Sequence, residues 1–171
     1  MAMLQFDISS IQNGAAHVDD ELAADDPVWG DDDVRPTGPV HVTGRLSATG
    51  GGQFYFSGHF EGHVAGECRR CLTDVDDDVE ASVQLLFAEP GAEGADDPDV
   101  FPVDTRMQRI DLRPAIREEW LLAAPAFPLC REDCKGICPT CGADRNAGDC
   151  GHSTASADSR WDKLRNLRPN E

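Results

Sequence analysis

The chain has 171 residues, 40% of them hydrophobic, and its 32 acids against 15 bases give a formal net charge of −17. That length suits one ordinary domain with appendages, and the apolar content suffices for a modest core. No apolar run approaches the roughly 20 residues needed to span a bilayer, and so negative a chain is repelled by bare phosphate backbone, where binding depends on Lys and Arg displacing counterions.

The charge is uneven. Residues 1–40 hold nine acids and one base, whereas residues 158–171 hold three acids and four bases. A basic protein is the partner that such a front suits. Asp outnumbers Glu by 22 to 10 and Arg outnumbers Lys by 13 to 2, a balance that a salt-adapted or high-GC host also produces. The opening Met1-Ala2-Met3-Leu4-Gln5 has neither a basic n-region nor an apolar h-region, so a cytoplasmic, reducing setting is expected.

Leu4, Phe6 and Ile8 alternate with polar residues and predict a short strand. From Asn13 to Pro39 periodicity is weak, with Asp31-Asp32-Asp33 and three prolines, which predicts a surface excursion or partly disordered acidic arm. Val40, Val42, Leu46 and Ala48 then alternate up to the Gly50-Gly51-Gly52 turn. Phe54, Phe56, Phe60 and Val64 follow with a matching face, which predicts a hairpin. Val79, Ala81, Val83, Leu85 and Phe87 repeat the period and place the intervening Cys68 and Cys71 in a turn between antiparallel strands. Val100 to Val103 reads as a short edge strand, limited by Pro102. A helix is expected over about 111–124, capped by Asp111, with Leu112, Ile116, Trp120 and Ala123 on one face and Pro125 as its stop.

The expected fold is therefore α+β and mainly antiparallel: a small curled or barrel-like sheet with one packed helix, over about residues 1–129. A Cys-rich module follows over 130–152, then a linker and a short basic C-terminal helix over 153–171. In that last helix Arg160, Lys163, Arg165 and Arg168 surround Trp161, a combination that suits RNA or an acidic surface; docking of its Trp161, Leu164 and Leu167 stripe on the body, with solvated charges around it, is the favoured reading.

Six of the seven cysteines fall into close pairs. Cys138-Pro-Thr-Cys141-Gly has the form of a zinc knuckle, in which two thiolates three positions apart grip one ion across a sharp turn. Cys68-Arg-Arg-Cys71 repeats the spacing, and Cys130, Cys134, Cys150 and His152 bring the donors to eight, enough for two tetrahedral ions. The favoured division places Cys68, Cys71, Cys130 and Cys134 on one Zn²⁺ and Cys138, Cys141, Cys150 and His152 on the other. A single ribbon uniting Cys68/Cys71 with Cys138/Cys141, with His152 in the tail, satisfies the spacing too, so one or two zinc ions are expected. Residues 130–152 have few apolar side chains, so metal is what would order them.

Other chemistries fit less well. Disulfides need an oxidising compartment. A redox role for Cys68/Cys71 has arginines to lower thiolate pKa, but redox pairs usually open a helix and the residues before Cys68 read as strand. His59, Glu61 and His63 share one strand face, a geometry open to metal or proton transfer but equally that of any solvated strand. The triple glycine lacks the helix and lysine of a phosphate loop. Sites closed by thiolates are structural, so no catalytic residue is expected.

The hairpin, Glu67-Cys68-Arg69-Arg70-Cys71-Leu72, Ile110-Asp111-Leu112 opening a helix with Glu118-Glu119, and Cys134-Lys-Gly-Ile-Cys138-Pro-Thr-Cys141-Gly142 together resemble the bacterial YceD family. The likeness covers roughly Arg45 to Cys150. It implies a cytoplasmic, non-enzymatic factor needed for accumulation of large-subunit ribosomal RNA, working with a ribosomal protein or a pre-ribosomal particle. Relatives commonly carry Cys-x-Cys where this chain has Cys150-Gly151-His152, and zinc accepts the histidine. Some relatives keep only ligands matching Cys68, Cys71, Cys130 and Cys134, which agrees with the favoured division.

Overall fold

The computed structural model describes residues 4–152. The proposed basic helix with Arg160, Trp161, Lys163, Arg165 and Arg168 lies outside the described residues. The described chain forms two compact units. The first comprises 4–66 and 75–128, and the second comprises 67–74 and 129–152.

The first unit is built on a five-stranded sheet. Its strands are β2 (Ala16–Leu22), β3 (Val40–Gly50), β4 (Gln53–Glu67), β5 (Asp74–Ala88) and β6 (Val100–Pro102), adjacent in that order. The hairpin predicted around the triple glycine is β3 and β4, antiparallel with Val42 opposite Phe60 and Leu46 opposite Phe56. Val40, Val42, Leu46, Phe54, Phe56, Phe60 and Val64 are all buried, so the alternating apolar set faces one core. β5 adds Val79, Val83, Leu85 and Phe87 to that face, and the edge strand β6 runs parallel to β5. The order is linear with β2 and β6 at its edges, so the sheet is open and not a closed barrel.

Gly44 and Gly58 face each other across β3 and β4. A Cβ at Gly44 would stand 2.6 Å from the Ser57 carbonyl oxygen and 2.8 Å from the Phe56 ring. The bare pair thus leaves room for the Phe56 ring to lie against the backbone.

A two-stranded ribbon stands apart from this sheet. β1 (Gln5–Asp7) pairs antiparallel with β7 (Arg109–Asp111), with Phe6 opposite Ile110. The period-two signal at Leu4, Phe6 and Ile8 ends sooner than expected, because the chain enters the short helix α1 (Ile8–Gln12), which buries Ile8 and Ile11.

The long helix, α2, spans Arg113–Ala123 and buries Ala115, Ile116 and Trp120. Leu112 is its N-cap, and Asp111 stands one residue earlier than the cap expected of it, where its carboxylate accepts from the Arg113 N–H at 3.0 Å. Ala123, expected on the apolar face, is exposed, whereas Ala115 in the first turn is buried. Before Pro125 the backbone of Ala124 turns extended, as the proline ring requires.

The acidic arm is a correction to the sequence-based expectation. Strand β2 runs through it and pairs along its whole length with β3, burying Val18 and Leu22. Further along, Trp29 packs edge-on against Trp120 at 6.1 Å between ring centres. The Trp120 indole N–H donates to the Val34 carbonyl at 2.8 Å. Arg117 forks onto Asp33 at 2.6 and 2.7 Å, and Arg113 reaches Asp26 at 3.2 Å. The hydrogen bond from Arg117 holds the Asp33 carboxyl below the usual carboxylate range. The arm's acids are therefore partly structural, because α2 supplies two cations to an arm whose own one is Arg35.

Candidate metal centre

Two turns of the second unit share one backbone design. In the first, the Leu72 N–H donates to the Cys68 carbonyl and the Cys68 N–H to the Thr73 carbonyl, both at 2.8 Å. In the second, the Gly142 N–H donates to Cys138 and the Cys138 N–H to Ala143, again both at 2.8 Å. Each turn needs a left-handed residue just after its second cysteine, with φ of 60° at Leu72 and 73° at Gly142. Glycine meets that requirement freely, whereas leucine is strained there by roughly 1–2 kcal/mol. The Leu72 side chain is 60% exposed, so its packing returns little. Leu72→Gly is expected to stabilise the unit by about 1 kcal/mol and Gly142→Leu to destabilise it by a similar amount. Denaturant midpoints of the metal-loaded variants check both.

In both sets backbone N–H groups are aimed at sulfur. The backbone N–H of Cys130 leads the effects that pull the Cys68 thiol down to about 6. The N–H groups of Cys141 and Thr140 do the same for Cys138, also to about 6. Cys130, crowded by the Cys71 sulfur, is pushed up to about 12. Without metal the sulfurs of a cluster share protons unevenly; a divalent cation replaces those protons and satisfies every thiolate at once.

The donor atoms converge as two sets of four. Cys68, Cys71, Cys130 and Cys134 place their sulfurs all within 4.8 Å of one another, and so do Cys138, Cys141, Cys150 and His152 with three sulfurs and a ring nitrogen. Within the first set the Sγ–Sγ distances are 3.8 Å for Cys68 to Cys134 and 3.5 Å for Cys71 to Cys130. Four sulfurs at about 2.3 Å from one zinc define a tetrahedron with edges of about 3.8 Å, so these spacings fit the ion. They far exceed the roughly 2.0 Å of a disulfide, and all seven cysteines are free. The donors thus converge in the same two groups of four as the favoured division, and each group could hold a metal ion.

Each set buries some donors and exposes others. Cys68, Cys134 and Cys138 are buried, whereas Cys130, Cys141 and His152 are exposed. A buried Cys68 is poorly placed for a thiol-exchange nucleophile, which must reach its substrate.

Two contributors carried no sequence signal. The Arg70 guanidinium donates to the carbonyls of Glu132 and Cys134, at 3.0 and 2.9 Å, and its own carbonyl accepts from Ile137 at 3.0 Å. Asn146 donates from Nδ2 to the Cys134 sulfur at 3.5 Å and accepts from the Lys135 N–H at 2.8 Å. A lone polar residue in a Gly/Asp-rich loop has no periodicity to mark it.

The histidine-bearing strand face gathers no third cluster. Among the described residues only the two cysteine sets bring three or more such donors together. His41 bonds Asp19 at 2.8 Å and Glu61 at 3.5 Å, and His63 pairs with Asp78 at 2.9 Å. Asp19 chiefly, then Glu61, raises the His41 pKa above its ordinary value. The stabilisation from its charged form is fully present below about pH 6.5 and fades as pH rises through the higher folded value. His41→Gln should therefore lower the melting temperature slightly at pH 6 and not at pH 8.5.

Comparison with known proteins bears on this arrangement. The family model described as "Large ribosomal RNA subunit accumulation protein YceD" matches residues 56–168, which include all eight donors. The chain belongs to the YceD family. It is 38% identical over 104 residues to the uncharacterized protein Rv2926c of Mycobacterium tuberculosis, covering 59% of this chain and 49% of that one. It is 31% identical over 105 residues to ML1660 of Mycobacterium leprae, covering 61% and 48%. It is 33% identical over 112 residues to YlbN of Bacillus subtilis, covering 65% and 63%. The chain thus spans about half the length of the mycobacterial relatives it matches. No solved structure matches it. No helix among the described residues is long and apolar enough to cross a membrane.

Proposed function

We propose that this YceD-family chain is a cytoplasmic, non-enzymatic zinc-binding factor that supports large-subunit ribosomal RNA accumulation through a basic ribosomal protein. The observation that carries this reading is the family match over a segment containing two closed four-donor sets. Closed sets leave no coordination position for a substrate, so the metal's part is to hold shape. Cys68, Cys71, Cys130 and Cys134 would hold one zinc, and Cys138, Cys141, Cys150 and His152 the other.

Charge distribution supports the kind of partner. The sequence of the first unit, 1–66 with 75–128, carries 23 acids and six bases, whereas that of the second, 67–74 with 129–171, carries nine of each. The whole formal charge of −17 thus falls on the sheet unit. An acidic sheet unit attracts a lysine- and arginine-rich protein and repels naked RNA.

Affinity capture of the tagged, zinc-loaded chain tests this. The reading expects a large-subunit ribosomal protein or a precursor particle that elutes with rising salt, and reduced large-subunit ribosomal RNA in cells lacking the chain. Recovery of neither, with tight salt-sensitive binding to naked RNA instead, overturns it. Insulin reduction that survives full zinc loading and disappears in Cys68→Ser would establish a thiol-disulfide oxidoreductase in its place.

A further inference from the structure

We infer that the two metal centres are coupled, and that Asn146 is the positioning residue that couples them: it lies in the loop closed by the second set and holds a sulfur of the first. This rests on the proposal that both sets bind metal.

Asn146 stands between Cys141 and Cys150, so a metal in the second set fixes the ends of its loop. Its side chain points away from that set. Nδ2 lies 3.5 Å from the sulfur of Cys134, a ligand of the first set, and 2.8 Å from Asp144 Oδ1, while Oδ1 accepts from the Lys135 N–H at 2.8 Å. Both ends of the amide are thereby committed: Asp144 and Lys135 fix its plane, and that plane directs the second amide hydrogen at sulfur. Backbone contacts keep the two segments in step, since the Arg145 N–H donates to the Gly136 carbonyl at 3.0 Å and Ile137 bridges to Asp144. Cys134 and Cys138 also belong to different sets though only four residues apart in the chain.

An N–H donor to a metal-bound thiolate orients the ligand and offsets part of its charge, and loss of such an outer partner typically weakens a site about 10–100-fold. The donor here sits in the loop whose ends the second set fixes, so on this inference closing that loop steadies it. Filling the second centre therefore raises the affinity of the first, and by linkage filling the first raises that of the second by the same factor.

The test uses the full chain, loaded with Zn²⁺ and challenged with a graded chelator, while native mass spectrometry counts the ions retained. Cobalt substitution gives a second readout through the thiolate-to-metal charge-transfer band. Asn146→Ala is expected to lower metal affinity of the first centre about tenfold or more, although the residue ligates neither ion. Asn146→Asp keeps an acceptor for the Lys135 N–H but removes the donor to sulfur. It also breaks the bond to Asp144, so affinity should fall whichever role the residue plays; a shift of the cobalt band, which reads the Cys134 sulfur itself, is expected only if Asn146 donates to that sulfur. Cys150→Ser, which opens the second centre, should weaken the first by a similar factor. An unshifted band in Asn146→Asp, or an undisturbed first centre in Cys150→Ser, would overturn the inference. If the unmutated chain retains no metal, the proposal of zinc binding itself fails; if it retains two ions and the variants behave like it, only the coupling fails.

Discussion

Treatment of a zinc-loaded sample with a strong chelator should unfold residues 129–152 and the turn 67–74 while the sheet unit keeps its structure. The described part of the second unit buries few large apolar side chains, and its buried residues are mainly the candidate ligands Cys68, Cys134 and Cys138. Structural zinc contributes an apparent 10–16 kcal/mol or so in small finger peptides, comparable to the roughly 5–15 kcal/mol that stabilises a whole domain. Seven thiols cannot replace that by packing as small hydrophobes. Amide exchange checks the expectation: protection should vanish at Cys138, Gly142 and Arg145, whose N–H groups are hydrogen-bonded in the folded turn, and persist along β3 and β4. The same release should occur on acidification, because protons compete for every sulfur.

Trp120→Ala should be the most damaging single substitution in the sheet unit, at about 3–5 kcal/mol. The side chain is fully buried between Trp29 and Phe60, each with its ring centre at 6.1 Å, and Gly62 leaves space for its edge, since a Cβ there would meet the ring at 2.9 Å. Truncation removes this packing and also leaves the Val34 carbonyl without its 2.8 Å donor. A loss of that size consumes much of a small domain's stability. Because the arm is held by the same indole, residues 23–39 should also become sensitive to protease before the sheet unfolds. Leu122→Ala, two residues on and on the opposite face of α2 in a side chain that is 80% exposed, should change stability by less than about 0.5 kcal/mol. Urea unfolding of the metal-loaded proteins, with limited proteolysis, separates the two outcomes.

The parts of the fold that were legible in the sequence are those fixed by local periodicity. Val40 to Val64 and Val79 to Phe87 alternate because one face of each strand meets the core, and the triple glycine marks the reversal between the first two. The arm was not legible, because its order comes from distant partners. Asp26 and Asp33 look like solvated acids until Arg113 and Arg117 are brought to them, and Val28-Trp29 is an isolated apolar pair outside any periodic pattern. The one-residue displacement of the helix cap has a similar cause, since Asp111 is engaged at once by the N–H and guanidinium of Arg113 and by Gln5.

For the candidate centre, the sequence supplied the donors and left two ways of combining them. Spacing constrains each Cys-x-x-Cys pair but not which pairs meet. Convergence of Cys68 and Cys71 with Cys130 and Cys134 depends on long-range contacts, such as Arg70 reaching the carbonyls of Glu132 and Cys134. Asn146 escaped for the same reason: its task is defined by a sulfur twelve residues away and by no feature of its own surroundings.

Native mass spectrometry of the protein purified without chelator tests the central claim most directly. Two zinc ions per chain are expected, falling to one in Cys68→Ser or Cys138→Ser if the vacated set alone empties and lower still if the centres are coupled. A freshly isolated chain that carries no metal, yet shows protected amides throughout residues 129–152, would contradict the account.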